Sequence, residues 1–270
     1  MKLHHIVLGG LTLGILGWGL GSHEAAQAQN SRPENTREPV VVELFTSEGC
    51  SSCPPADALL AELDSRQPVR SAEIIPIEEH VDYWDQDGWL DPYSSAAWTA
   101  RQREYTGVLR TGNPYTPEMV VDGNVGFVGS RGRAAIQEIE KAASTRKVKV
   151  EISEVSRVQG KLAVLMISVE KFAGSGPKDT PEVMLAITES GLHSAVSAGE
   201  NSGKELHHSL ILRELKMVGA MGKNGEETFT AQRNVKLDSK WKLENLRAVG
   251  FVQARKSRQI LGAAEISLKP

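Results

Sequence analysis

The chain has 270 residues, 40% of them apolar and 24% charged, with a formal net charge of −3. That balance excludes a disordered or fibrous protein, and so mild an acidic excess gives no footing for a nucleic-acid partner. With only two cysteines in the whole length, a small scaffold held by many disulfides is excluded, and any cysteine chemistry falls to a single pair.

Residues 1–28 read as a secretory signal peptide. Lys2, His4 and His5 form a short polar start, residues 6–20 carry no charge, and Ala26-Gln27-Ala28 supplies a small-x-small cleavage site. The rival reading is a retained anchor, but the uncharged run is shorter than the about 20 residues a spanning helix needs. The expected mature protein is therefore periplasmic or secreted, with no membrane span after cleavage. Residues 29–38 are polar and read as a flexible lead-in.

Pro39-Val40-Val41-Val42-Glu43-Leu44-Phe45 is a nearly continuous β-branched run, the pattern of a strand buried on both faces. Cys50-Ser51-Ser52-Cys53 follows, and Pro54 and Pro55 fit a first helical turn, where a missing N–H costs little. Ala56, Leu59, Leu60 and Leu63 then recur at helical spacing, with Asp57, Glu62 and Asp64 expected on the opposite side. A second strand is expected at 72–77, a loop rich in Trp, Asp and Tyr at 80–92, and a helix at 94–109. Asp122-Gly123 between two apolar runs is a two-residue hairpin signal, and residues 131–143 read as a third helix. Strand and helix alternate up to this point, which implies an α/β domain over 39–145. From 146 to 270 the pattern changes to about seven short period-two runs, which implies a β-sandwich-like domain.

The cysteine pair is poorly placed as a brace. A bridge over so short a loop removes roughly 2 kcal/mol of unfolded-state entropy. As a redox-active disulfide it is well placed, because a helix N-terminus favours a thiolate. Cys50, nearer the helix end, is the expected attacking thiol and Cys53 the resolving one. Glu48 brings a negative charge beside them, which opposes a thiolate at Cys50.

Strand, Cys-X-X-Cys and helix, followed by Tyr115-Thr116-Pro117 opening an apolar strand, resembles the thioredoxin superfamily over roughly residues 38–145. The wording from Val42 to Asp57, with His80-Val81-Asp82-Tyr83-Trp84-Asp85 and Thr116-Pro117-x-Met119-Val120-Val121-Asp122-Gly123, is similar to one exported bacterial family, domain of unknown function 1223. The resemblance implies a thioredoxin-like fold with an appended β domain, and no assigned activity. It implies that Pro117 is a cis-proline facing the dithiol. Glu43 would then move protons for the second cysteine, or else reach the sheet edge or pair with a Lys or Arg.

The expected function is thiol–disulfide exchange with exported protein thiols or disulfides, which needs a redox partner and no cofactor beyond the disulfide itself. The alternative is a non-enzymatic ligand- or metal-binding protein whose Cys50–Cys53 bridge stays closed. A metal, if any, would take Cys50, Cys53 and His80. The aspartates of the 80–92 loop supply no complete ligand spacing. His207 and His208 would face opposite sides of a strand, so they form no chelate pair and read as solvated.

Overall fold

The structure is a computed structural model and describes residues 37–269 apart from 160, 174–176 and 223–226. The signal peptide expected at 1–28 and the lead-in up to residue 36 lie outside the described residues. Arg37 already donates to Ala72 O and to Gln67 Oε1. Among the described residues no helix is long and apolar enough to cross a membrane.

Strand β1 (Glu38–Thr46) is buried along nearly its whole length. Its even residues Val40, Val42 and Leu44 pack against helices α1 (Pro54–Arg66) and α3 (Gly132–Ala143). The odd residues Val41 and Phe45 pack on the other face, with Trp98 and Tyr105 of helix α2 (Ala96–Leu109). Period-two alternation in a strand covered on both sides explains why the run reads as continuously apolar. Ser95 caps α2, its hydroxyl accepting from Ala97 N. Strand β2 (Ala72–His80) pairs parallel with β1, while β3 (Glu118–Val121) pairs antiparallel with it and continues into β4 (Val125–Val128). Asp122 and Gly123 join β3 to β4 with φ of 49° and 65°, the two left-handed residues that a tight hairpin of this hand requires.

The second half contributes β5 (Val150–Val158), β6 (Leu162–Val169), β7 (Pro181–Glu189), β8 (Leu192–Ala195), β9 (Glu205–His208), β10 (Ile211–Ala220), β11 (Phe229–Lys236), β12 (Leu246–Ala254) and β13 (Ile260–Ser267). Four of these strands continue the first sheet. Its order is β13-β12-β7-β10-β2-β1-β3-β4, eight strands in all. The join is narrow: β10 meets β2 through one pair, Ile211 with Glu78, and Glu78 N donates to Leu210 O at 3.0 Å. The wide sheet is closed instead by packing. Val41, Ile75 and Ile77 share a core with Ala186, Leu212, Val249, Phe251 and Ile260. A separate three-stranded sheet, β11-β6-β5, covers β7, β12 and β13 through a second apolar core.

The expected fold class, a thioredoxin-like α/β domain followed by an all-β sandwich-like domain, is therefore corrected. Among the described residues strand accounts for 42% and helix for 19%, and one mixed eight-stranded sheet draws on both halves of the chain. Alternation along a strand fixes which side chains face a core, but not which neighbour takes its free edge. The two domains were expected to meet at residue 145, and β10 pairs with β2 across that boundary.

Candidate functional site

Cys50 and Cys53 are joined in a disulfide at the start of α1. Cys53 caps the helix with backbone angles already helical, and its carbonyl accepts from Ala56 N and Asp57 N. Both cysteines are fully buried, while Ser51 and Ser52 between them are exposed. The Thr116–Pro117 peptide is cis, and Pro117 O accepts from Gly129 N. Gly129 is wedged: a Cβ there would lie 3.2 Å from both Ala56 Cβ and Pro117 Cβ. Pro117 thus sits beside the first turn of the cysteine helix.

The cover over the cysteines comes from the β8–β9 hairpin, which forms a two-stranded sheet of its own. From its loop, Asn201 Nδ2 donates to Glu48 O at 2.8 Å and to Cys50 O at 2.9 Å. Ser51 N donates to Glu200 Oε2 at 3.0 Å. Gly199 packs against Trp89 of the aromatic loop, and Gly49 against Trp84. Three hydrogen bonds and the Trp89 contact therefore hold a hairpin loop over the disulfide.

Beneath that cover lies a buried network of carboxyl and imidazole groups. His80 Nδ1 meets Asp91 Oδ2 at 2.7 Å, and its Nε2 meets Glu78 Oε1 at 3.0 Å. His208 Nδ1 meets the same Glu78 Oε1 at 2.8 Å, and its Nε2 meets Glu48 Oε1 at 3.0 Å. Trp89 Nε1 donates to Glu48 Oε2, Ser209 N to Glu78 Oε2, and Glu48 N to Asp91 Oδ2. Burial works against charge on Glu78, His80 and His208, and the contacts overcome it. Hydrogen bonds from His208 and His80 lower Glu78 to about 2. The charge of Asp91 and its hydrogen bond hold His80 well above the usual imidazole value. Hydrogen bonds to Glu48 and Glu78 raise His208 to about 9.

Asp57 sits one helical turn beyond Cys53, on the same face of α1. It is buried, contrary to the solvated side expected for it, and accepts from Thr46 Oγ1 at 2.6 Å. Burial, then the charge of Glu78, raises it to about 7 against the pull of that hydrogen bond and of His208 and His80. It is the titratable side chain that follows the cysteines at helical spacing.

Glu43 occupies the other side of β1. Its carboxyl accepts from Arg101 Nε at 2.6 Å and from the Tyr105 hydroxyl, and Arg101 also donates to Gln253. Since the even residues of β1 face α1 and Glu43 faces α2, its ion pair with Arg101 lies across the sheet from the cysteine helix. Neighbouring Glu79 is buried, with Oε1 3.4 Å from Arg101 Nε. Burial and the charge of Glu43 push its pKa well above the usual carboxyl value.

Of the expected site residues, the structure brings Cys50, Cys53 and Pro117 to one end of α1, with His80 in the network below. The metal set of Cys50, Cys53 and His80 is not assembled in this state. The sulfurs are bonded to each other, and both His80 nitrogens are occupied by Asp91 and Glu78. Among the described residues, Glu78, His80 and His208 are the set placed to share one ion, their donor atoms lying within 4.8 Å of one another. Sequence reading missed Glu78, Asp57, Asn201 and the inward turn of His208. His207 and His208 do face opposite sides, but only His207 is solvated.

The fold is similar to that of protein AGR_C_4864 from Agrobacterium tumefaciens, with 24% identity and a TM-score of 0.65 over 86% of this chain and 95% of that one. It is also similar to HBP35 of Porphyromonas gingivalis, with 16% identity and a TM-score of 0.61 over 87% and 77% of the two chains. Both likenesses speak to the fold alone. No curated protein matches the sequence. Residues 41–253 match the family described as protein of unknown function (DUF1223), and with most of its length inside that match the chain belongs to this family.

Proposed function

We propose that this protein is an exported thiol–disulfide oxidoreductase that exchanges disulfides with envelope or secreted proteins through Cys50 and Cys53. The observation that carries the reading is a disulfide at the tip of α1 with a raised carboxyl, Asp57, one turn behind it. The reading concerns the chemistry of this loop and does not require the thioredoxin fold.

In the oxidising direction a client thiolate attacks Cys50 Sγ. The S–S bond breaks, and Cys53 leaves as a thiolate that takes up a proton. Asp57, protonated up to about pH 7, supplies that proton. A second client thiolate then attacks the client sulfur of the mixed disulfide and releases Cys50 as its thiolate. Two electrons pass from client to protein, and an exported redox partner takes them on. In the reducing direction the same steps run backward, with the Asp57 carboxylate accepting the proton of Cys53. Either direction requires the hairpin loop that carries Glu200 and Asn201 to leave the disulfide.

The full burial of both sulfurs favours a second reading: a binding protein whose bridge stays closed. The reduction potential separates the two. Exchange predicts a value between about −120 and −270 mV with insulin-reductase activity. A value below about −300 mV with no such activity overturns it in favour of the inert bridge. Trapping with Cys53→Ser is expected to yield a client linked through Cys50, and no adduct forms if the bridge is inert.

A further inference from the structure

We propose that Glu78 Oε1, His80 Nε2 and His208 Nδ1 form a site for one zinc-class divalent cation between β2 and the β8–β9 hairpin. The proposal stands on geometry and is independent of the redox reading.

The three donor atoms lie within 4.8 Å of one another and are fully enclosed. Glu78 Oε1 is 3.0 Å from one ring nitrogen and 2.8 Å from the other. A tetrahedral zinc site with bonds of about 2.0–2.1 Å sets neighbouring donors about 3.4 Å apart, so a small shift of Glu78 Oε1 away from the two rings accommodates the ion. Two nitrogens and one carboxylate oxygen is a recurrent zinc ligand set, and it leaves a fourth position.

The outer contacts carry the argument further. A ligating histidine typically donates its other N–H to a carboxylate, which fixes the ring and its tautomer. Both rings already do this: His80 Nδ1 faces Asp91, and His208 Nε2 faces Glu48. The second oxygen of Glu78 is held by Ser209 N. All four ring nitrogens face carboxyl oxygens, and the ring centroids are only 4.8 Å apart, so one ion can reach both inner nitrogens together with Glu78 Oε1.

Two ligands belong to β2 and one to β9, so the ion would also clamp the hairpin over the disulfide.

The test is titration of the oxidised full-length protein with Zn²⁺ by calorimetry and with Co²⁺ by visible absorption. The background is His193→Ala/His207→Ala, because that exposed cross-strand pair, with centroids 6.2 Å apart, is itself a weak chelator. One equivalent should bind, with Co²⁺ bands of four-coordinate type and no sulfur charge-transfer band. Glu78→Gln and His208→Gln should each weaken binding at least hundredfold. If either fails to fold, Asp91→Asn supplies the readout, since loss of an outer partner weakens binding 10- to 100-fold. Cys50→Ser/Cys53→Ser should bind as the parent does. The proposal is overturned if the folded protein takes up neither ion, if uptake survives the ligand variants, or if it disappears with the cysteines.

Discussion

Asp57 and Glu43 are both buried acids, yet they behave in opposite ways. Asp57 keeps its proton to about pH 7 when folded and releases it near 3.8 when unfolded. The unfolded chain is thus the more ionised between those values, and stability is lost as the pH rises from about 4 to about 7. Asp57→Asn has no proton to release. It should match the parent near pH 4 and exceed it by roughly 2–4 kcal/mol at pH 8 in urea unfolding. The exchange rate of the same variant should lose any inflection near pH 7. Glu43, by contrast, depends on its partner. Arg101→Met would leave Glu43 buried with only the Tyr105 hydroxyl, and should cost about 3–5 kcal/mol. Both acids were visible in the sequence, but only partly. Glu43 stood out as a charge inside an apolar strand, and an Arg or Lys partner was one of its readings. Asp57 was assigned to the wet side of α1 because charge outweighed position. Its spacing of four from Cys53 and three from Leu60 places it on the buried face.

At the level of elements, the β8–β9 hairpin is what covers the cysteine loop. A two-stranded hairpin is marginal by itself, and this one is held down by the Asn201 and Glu200 contacts and by the imidazole network. Asn201→Ala removes two hydrogen bonds to the cysteine loop, together on the order of 2 kcal/mol. If the loop must open before a reductant enters, the rate of disulfide reduction by a small phosphine should rise by about tenfold or more. An unchanged rate would mean that reductant reaches the bridge by another route. The helices and long strands were legible because their periodicity runs over many residues. The hairpin was not, because each of its strands has four residues and Leu192-His-Ser-Ala195 and Glu205-Leu-His-His208 contain no β-branched side chain. The alternation of buried Leu206 and His208 with exposed Glu205 and His207 was the available signal.

Across the whole molecule, the two halves are too interlocked to fold apart. Phe251, Ile260 and Ala263 complete the core under Val41, Ile75 and Ile77, and Ile260 N donates to Asp122 O in the first hairpin turn. Lys147 pairs with Asp122 in the same place. A fragment ending at residue 146 would expose one face of β1 and β2, and should lack a cooperative thermal transition. The full chain should melt once, with equal calorimetric and van't Hoff enthalpies. The sequence signalled a change of pattern near 146 but not this interlocking, because the core contacts and the Ile260–Asp122 bond join residues more than a hundred positions apart.

The one-pair joint between β2 and β10 has a mechanical consequence. A ladder of many rungs resists twisting, whereas a single rung acts as a pivot. That pivot is Glu78, whose side chain also anchors both imidazoles. A small rotation of the β7–β10–β12–β13 leaf about this point would break almost no ladder bonds, but it would have to slide the core that Val41, Ile75 and Ile77 share with Phe251 and Ile260. Any tilt of the broad sheet against β2 would therefore be felt at the buried imidazoles through the same residue.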